Sequence, residues 1–231
     1  MIDIVAKVRS NTYVTEDVCI ILLDIVSPAY YSFKAGQYLF VQASERVLRA
    51  YSIASTPQQK GMIEFCIERV PGGVASNYLW NLQPEQKITM KGTFGHFFYK
   101  SDPKVDAIVM IGTGTGVAPL KSMIEYALEN GEKRPIHLLF GESTVKSFFY
   151  LDVLADLQKK FPHFTYDLCV SREEQAGFFS GRVTARLPEI MNRFPNASYY
   201  LCGGQAMLTD VRAQLAEAQV PAPQVYFEKF F

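Results

Sequence analysis

The chain has 231 residues, which is enough for two domains of about 100 to 130 residues that each bury a core. Its 23 basic and 23 acidic residues give a formal net charge of +0, so no overall field favours nucleic acid or an anionic membrane. The N-terminal residues lack a basic segment followed by an apolar one, and the longest apolar run is interrupted by Asp24. We therefore expect a cytoplasmic protein with no nucleic-acid or membrane partner, and we expect a monomer.

The cysteines and histidines show no metal-binding pattern. The four cysteines, Cys19, Cys66, Cys169 and Cys202, stand far apart, and the three histidines have no ligand spacing. We expect reduced thiols and no metal. A plant-type iron-sulfur cluster needs a C-x4-C-x2-C run, which these positions cannot supply.

The first part of the chain is predicted to consist mostly of short strands. Residues 20–23, 37–41, 49–54, 62–70 and 88–91 are rich in β-branched and aromatic residues and are separated by Gly, Pro and Ser. Closely spaced strands of this kind predict an antiparallel barrel. Residues 72–79 interrupt them as a loop that leads into a short helix, and this loop is a possible anion site. The alternative is a helix capped by Ser76 or Asn77 that only connects strands.

Strands and helices alternate after a polar boundary at residues 100–103, which predicts domains at 1–101 and 102–231. The predicted strands are 105–111, 136–140, 164–170, 199–202 and 225–227, and the predicted helices are 117–130, 147–160 and 205–218. This alternation predicts a parallel, Rossmann-like sheet with ligands at the carboxyl ends of its strands. The fold class is therefore a two-domain α/β protein with an antiparallel barrel followed by a parallel sheet.

A glycine-rich stretch, residues 112–119, follows the first strand of the second domain and precedes a helix. Its sequence is Gly112, Thr113, Gly114, Thr115, Gly116, Val117, Ala118 and Pro119. Glycines at every second position allow close approach of a ligand, and the amides at the helix start favour an anion such as a diphosphate. No Lys-Ser or Lys-Thr follows, which argues against an NTPase. A tight turn without a ligand is the alternative.

Four stretches, taken in order, resemble the ferredoxin-NADP reductase superfamily of flavoproteins. The first comprises Arg49, Ala50, Tyr51 and Ser52, which match the R-x-Y-S flavin motif of that family. The resemblance implies that Arg49 pairs with the FAD diphosphate, that Tyr51 packs on the isoalloxazine, and that Ser52 hydrogen-bonds near flavin N5. These residue types suit bidentate phosphate binding, ring stacking and hydrogen bonding, respectively.

The second stretch comprises Gly73, Val74, Ala75 and Ser76 and is similar to the G-x-x-S element of the family. By resemblance it holds the FAD diphosphate from the other side. The third stretch is residues 112–119, which in the family takes the diphosphate of the pyridine nucleotide.

The fourth stretch lies near the C-terminal end. Cys202 and Gly203 resemble the family's C-G motif beside the nicotinamide, and Glu228 begins an ending that resembles its E-x-aromatic terminus. There the aromatic residue covers the flavin face that nicotinamide must occupy, which leaves open whether Phe230 or Phe231 stacks on the flavin. The resemblance implies that Ser52, Cys202 and Glu228 are the catalytic residues.

Two further elements concern the coenzyme. Ser171, Arg172 and Glu173, with Gly181 and Arg182 after them, resemble the S-R-E and G-R elements of bacterial flavodoxin reductases, whose arginines grip the 2′-phosphate of NADPH. This implies NADPH. The Glu-Lys-Phe ending also resembles NADH-using oxygenase reductases, so NADH remains open.

The resemblance implies an FAD-dependent oxidoreductase that transfers hydride from NADPH to flavin N5 and passes electrons to a small carrier such as ferredoxin or flavodoxin. Three alternatives remain. The chain could be a free-flavin reductase, an NADH-dependent reductase component of an oxygenase, or a non-catalytic nucleotide-binding subunit.

Overall fold

The computed structural model describes residues 2–230. The described residues group into two compact units, each with its own core. The first unit runs to Tyr99 and includes Lys121–Tyr126, and the second comprises Lys100–Leu120 and the described residues from Ala127 onward.

The first unit is a six-stranded antiparallel sheet with one short helix. Its elements are β1 (Ile2–Tyr13), β2 (Val18–Ser27), β3 (Tyr38–Ser44), β4 (Val47–Ser52), β5 (Met62–Glu68), α1 (Val74–Trp80) and β6 (Lys87–Phe94). The strand order is β4-β3-β6-β1-β2-β5. An antiparallel bridge between Ile53 and Phe65, with a 2.9 Å bond from Ala54 N–H to the Glu64 carbonyl, joins the two outer strands. The sheet therefore closes, and the predicted barrel is confirmed.

The barrel interior is filled by one side of each strand. Ile4, Ala6 and Val8 are fully buried in β1, as are Leu39 and Val41 in β3, since alternate side chains of a strand face the same side. The unit also buries charged groups: the Lys121 ammonium lies 3.4 Å from the buried Glu64 and 3.1 Å from Glu125. Burial of an ammonium group requires such partners.

The second unit is a six-stranded parallel sheet with helices. Its elements are β7 (Ala107–Thr113), the two ends of α2 (Val117–Glu129), β8 (Ile136–Glu142), α3 (Leu151–Lys160), β9 (Phe164–Val170), β10 (Phe179–Ser180), α4 (Val183–Arg193), β11 (Ala197–Gly203), α5 (Gln205–Glu217) and β12 (Val225–Lys229). The order β10-β9-β8-β7-β11-β12 is wound outward from β7 in both directions, and the pairs are parallel. The direction of winding reverses between β7 and β11, and such a reversal point is where sheets of this kind bind ligands.

Four elements differ from the predicted ones. β1 and the two-residue β10 were not predicted as separate strands, and α4 was not predicted; Pro188 lies inside α4, where proline usually ends a helix. The predicted helix at 147–160 begins only at Leu151. Before it, residues Val145–Ser147 form a 3-10 turn, and Phe148 and Phe149 turn inward to pack on Phe140.

Among residues 2–230, no helix combines the length and the apolar character that crossing a membrane requires. In the same described part of the chain, no group of three or more His, Cys, Asp or Glu side chains is arranged to hold a metal ion.

Candidate functional site

The predicted flavin motif lies at the end of β4. Arg49 and Tyr51 are two positions apart and so face the same side of the strand, while Ser52 faces the other side and is buried. The Tyr51 ring is half-buried, with its centroid 6.1 Å from that of Phe65. Burial raises the pKa of Tyr51 to about 12, so the phenol is neutral at neutral pH. The exposed guanidinium of Arg49 donates to the Leu48 carbonyl at 2.9 Å.

Helix α1 begins beside this strand, since α1 contacts β4. Its N-cap residue is Gly73 in an extended conformation, and no side chain caps the helix, so the predicted caps at Ser76 or Asn77 were wrong. The reason is that both side chains hold the preceding turn. Ser76 Oγ accepts the Val70 N–H at 3.1 Å, and Asn77 Nδ2 donates to the Gly73 carbonyl at 2.6 Å.

These residues suit a diphosphate and a flat heterocycle. The helix start has no side-chain cap, so the first-turn amides of Val74, Ala75 and Ser76 can donate to an anion. Arg49 adds a positively charged guanidinium, and Tyr51 adds an aromatic ring. The chemistry of this donor set fits FAD, while the assignment of individual residues stays a prediction.

In the second unit, the glycine-rich loop connects β7 to α2 through a 3-10 turn at Gly114–Gly116. Gly114 has a φ of 57°, which favours glycine. A Cβ on Gly116 would lie 2.6 Å from the carbonyl carbon of Cys202 and 2.8 Å from the Gly203 nitrogen. Thr113 and Gly114 line a cavity, whereas Gly116 is buried and lets the loop pack against the end of β11.

Three predicted residues are neighbours across the sheet. The parallel register places Cys202 of β11 opposite Gly112 of β7 on one side and opposite Glu228 of β12 on the other. Phe230 follows, and its N–H donates to the Gly203 carbonyl at 3.0 Å. Phe231, the alternative stacking residue, lies outside the described residues. The structure thus brings the C-G motif, the phosphate loop and the glutamate to one edge of the sheet.

Cys202 is fully buried. Burial, and to a lesser degree the nearby Glu228 carboxylate, raises the pKa of the Cys202 thiol well above its usual value. The side chain is therefore a neutral thiol at neutral pH and cannot act as a thiolate nucleophile.

A cavity of about 370 Å³ lies at the carboxyl ends of the strands. It brings together five predicted residues, which are Thr113, Gly114, Ser171, Arg172 and Arg182. The sequence reasoning missed the other lining residues, which are Gly141, Glu142, Ser143, Cys169, Val183, Thr184, Ala206, Met207 and Asp210. Residues 141–143 could have been found, because they end strand β8 at the same edge. Ser52 belongs to the first unit, so the three predicted catalytic residues do not all lie in one unit.

The barrel with its flavin-type motif and the doubly wound sheet with its phosphate loop define a flavin- and nicotinamide-dependent reductase. Two family descriptions match in the same order. "Oxidoreductase FAD-binding domain" covers residues 5–99, and "Oxidoreductase NAD-binding domain" covers residues 110–213.

Individual proteins agree with this class. The reductase component of propane 2-monooxygenase from Gordonia sp. (strain TY-5) is 31% identical, over 99% of this chain and 68% of its own length. The crystal structure of Amycolatopsis cytochrome P450 reductase GcoB has a TM-score of 0.89 and 27% identity, over 99% of this chain and 70% of that one. A ferredoxin NADP+ reductase from Neisseria gonorrhoeae shares the fold, with a TM-score of 0.87 at 21% identity over 99% of both chains.

The chain belongs to the ferredoxin-NADP reductase superfamily of flavoproteins. It is an NAD(P)H oxidoreductase with an FAD-binding and a nicotinamide-nucleotide-binding domain.

Proposed function

We propose that this protein takes a hydride from NADPH onto bound FAD and passes the electrons to a separate protein acceptor. The cavity in the second unit is the observation that carries the choice of coenzyme, because it joins both arginines to the phosphate loop. Arginine is the side chain best suited to bidentate phosphate binding, so two arginines in this cavity favour a nucleotide with a 2′-phosphate.

In the first unit, the side chains and backbone bind and orient the flavin. Arg49 would pair with the diphosphate, and the amides of Val74, Ala75 and Ser76 at the start of α1 would bind it from the other side, since the Gly73 amide already donates to the Val70 carbonyl at 2.9 Å. Tyr51 would pack on the isoalloxazine, and the buried Ser52 hydroxyl would hydrogen-bond near N5. Binding through a diphosphate favours FAD over FMN, because FMN has no diphosphate. It also argues against an enzyme that releases its flavin after each turnover.

In the second unit, the residues at the sheet edge orient the nicotinamide nucleotide. The loop from Gly112 to Pro119 would bind the diphosphate, and Cys202, with Glu228 beside it in the register, would lie beside the nicotinamide. Phe230 would cover the flavin face that the nicotinamide must occupy. The bound cofactors supply the hydride and electron chemistry.

The acceptor we propose is the oxygenase component of a two-protein system. The support is the set of relatives: a propane 2-monooxygenase reductase component at 31% identity, a toluate 1,2-dioxygenase electron transfer component at 28% identity, and the cytochrome P450 reductase at 27% identity. A small carrier such as ferredoxin or flavodoxin is the second candidate, favoured by the S-R-E and G-R elements around Arg172 and Arg182. Stopped-flow measurement of electron transfer to a purified oxygenase component and to a purified small carrier distinguishes these two candidate acceptors.

Coenzyme choice is tested by kcat/KM for NADPH and NADH. If each arginine contacts the phosphate with about 1.5 to 3 kcal/mol, the wild type prefers NADPH by a factor on the order of 10² to 10⁴. Arg172→Ala combined with Arg182→Ala should remove that preference, while Arg193→Ala, at the far end of α4, removes the same charge outside the cavity lining and should keep it. A wild-type ratio near one, or a double variant that retains its preference, would contradict the proposed coenzyme.

A further inference from the structure

Glu173 holds the chain segment that carries Arg172. The segment leaves the sheet after Val170, the last residue of β9, and residues 171–177 are exposed. The carboxylate of Glu173 accepts a hydrogen bond from the backbone N–H of Val145 at 2.8 Å. Val145 begins the 3-10 turn that follows β8, so this side chain ties two loops that are far apart in sequence.

The bond continues a short series of backbone contacts. Ser171 N–H donates to the Glu142 carbonyl at 3.1 Å, and Arg172 N–H donates to the Ser143 carbonyl at 3.0 Å. Glu142 and Ser143 both line the cavity. Glu173 therefore attaches the segment to the loop after β8 once more, directly after Arg172, which lines the cavity.

Arg182 is held in a different way. It is the N-cap residue of α4, and Gly181, directly before it, donates its N–H to the Val170 carbonyl at 2.8 Å. The backbone of Arg182 is thus positioned by β9 and α4, and none of these contacts depends on the side chain of Glu173.

We propose that Glu173 is a positioning residue for coenzyme discrimination, which acts by holding Arg172 in place for the 2′-phosphate. This inference rests on the proposed use of NADPH. An exposed segment loses conformational freedom when its arginine binds a phosphate, and a segment that is already tied loses less. The carboxylate acts as a hydrogen-bond acceptor rather than as a charge, so glutamine can replace it.

The test is calorimetric titration of the FAD-loaded protein with adenosine 2′,5′-bisphosphate and with AMP, which lacks the 2′-phosphate. Glu173→Ala should weaken binding of the bisphosphate by about 3- to 10-fold and leave AMP binding unchanged, as expected for loss of one hydrogen bond. Glu173→Gln should bind within about 2-fold of wild type because it keeps the acceptor. Glu174→Ala removes the same charge from the neighbouring exposed position and serves as the matched control. In steady-state assays the loss should appear in KM for NADPH and not in kcat.

A double-mutant cycle then identifies the residue through which Glu173 acts. Glu173→Ala should have no further effect in an Arg172→Ala background and its full effect in an Arg182→Ala background. The inference is overturned if Glu173→Ala matches wild type, if Glu173→Gln is as weak as Glu173→Ala, or if the effect is equal in both backgrounds. In those cases, if Arg172→Ala still weakens bisphosphate binding, the proposal that NADPH is the coenzyme stands. If neither arginine variant weakens bisphosphate binding, the proposed coenzyme and this inference both fail.

Discussion

Two of the helices that begin after glycines, α1 and α2, are built differently. Before α1, the turn at Gly72 and Gly73 is held by side chains of the helix itself, Ser76 and Asn77. Before α2, the loop is held by its fit against the backbone of another strand, because Gly116 lies against Cys202 and Gly203. Glycine thus serves a local turn in the first case and a tertiary contact in the second. Gly73 should therefore tolerate substitution, and Gly116 should not.

The largest effect is expected at Gly116. In Gly116→Ala the new Cβ would overlap backbone atoms of Cys202, which cannot rotate away, and we expect a loss of about 3 kcal/mol or more in the free energy of unfolding. Denaturant titration of the purified protein measures it. Gly204→Ala is the matched control, because a Cβ there meets nothing within 4 Å, and it should cost less than about 1 kcal/mol. Equal losses in the two variants would show that the contact with β11 is not what requires glycine.

The next largest effect concerns FAD, the ligand proposed to bind at the start of α1. Arg49→Ala should weaken FAD binding by about 1.5 to 3 kcal/mol, which raises Kd roughly 10- to 150-fold, because charge-assisted bonds to the diphosphate are lost. Flavin fluorescence on titration of the apoprotein measures this Kd. Arg46→Ala, in the exposed turn between β3 and β4, removes the same charge and should bind FAD normally. Normal FAD affinity in Arg49→Ala would exclude the predicted role of Arg49.

The smallest effect is expected at Gly73. A Cβ there would lie 2.7 Å from Ser76 Oγ, which is a movable group, and φ is an ordinary −71°. Gly73→Ala should therefore cost only about 1 to 2 kcal/mol of unfolding free energy. The double variant with Ser76→Ala should cost less than the sum of the two single variants, because the clash is removed. Strict additivity in the denaturation data would mean that Ser76 is not the group in the way.

Residue patterns predicted the architecture because they are local. The strand at Met62–Glu68 and the strand-loop-helix pattern around Gly112 both lie within short segments, and both sets of elements are confirmed. The missed helix α4 shows the opposite case. Its Pro188 is a local signal against a helix, and the packing of Val183, Leu187 and Ile190 in the core of the second unit stabilises the helix despite it.

The candidate site was predictable where a motif is contiguous. The positions of Arg172, Arg182 and the phosphate loop in the sequence do not show that they share a cavity. The lining residues Thr184, Met207 and Asp210 were missed because two different helices, α4 and α5, bring them to it. The pairing of Gly112, Cys202 and Glu228 depends likewise on strand register, which the sequence of one strand does not specify.

The central claim is that this chain is an FAD-dependent reductase of nicotinamide nucleotides. The most direct test is to purify the protein, quantify the released flavin, and add NADPH without oxygen while following the flavin absorbance. We expect one FAD per chain, no FMN, and rapid bleaching of the flavin band by NADPH. A protein that neither retains nor binds FAD, or one whose bound FAD is bleached by neither NADPH nor NADH, would contradict the account.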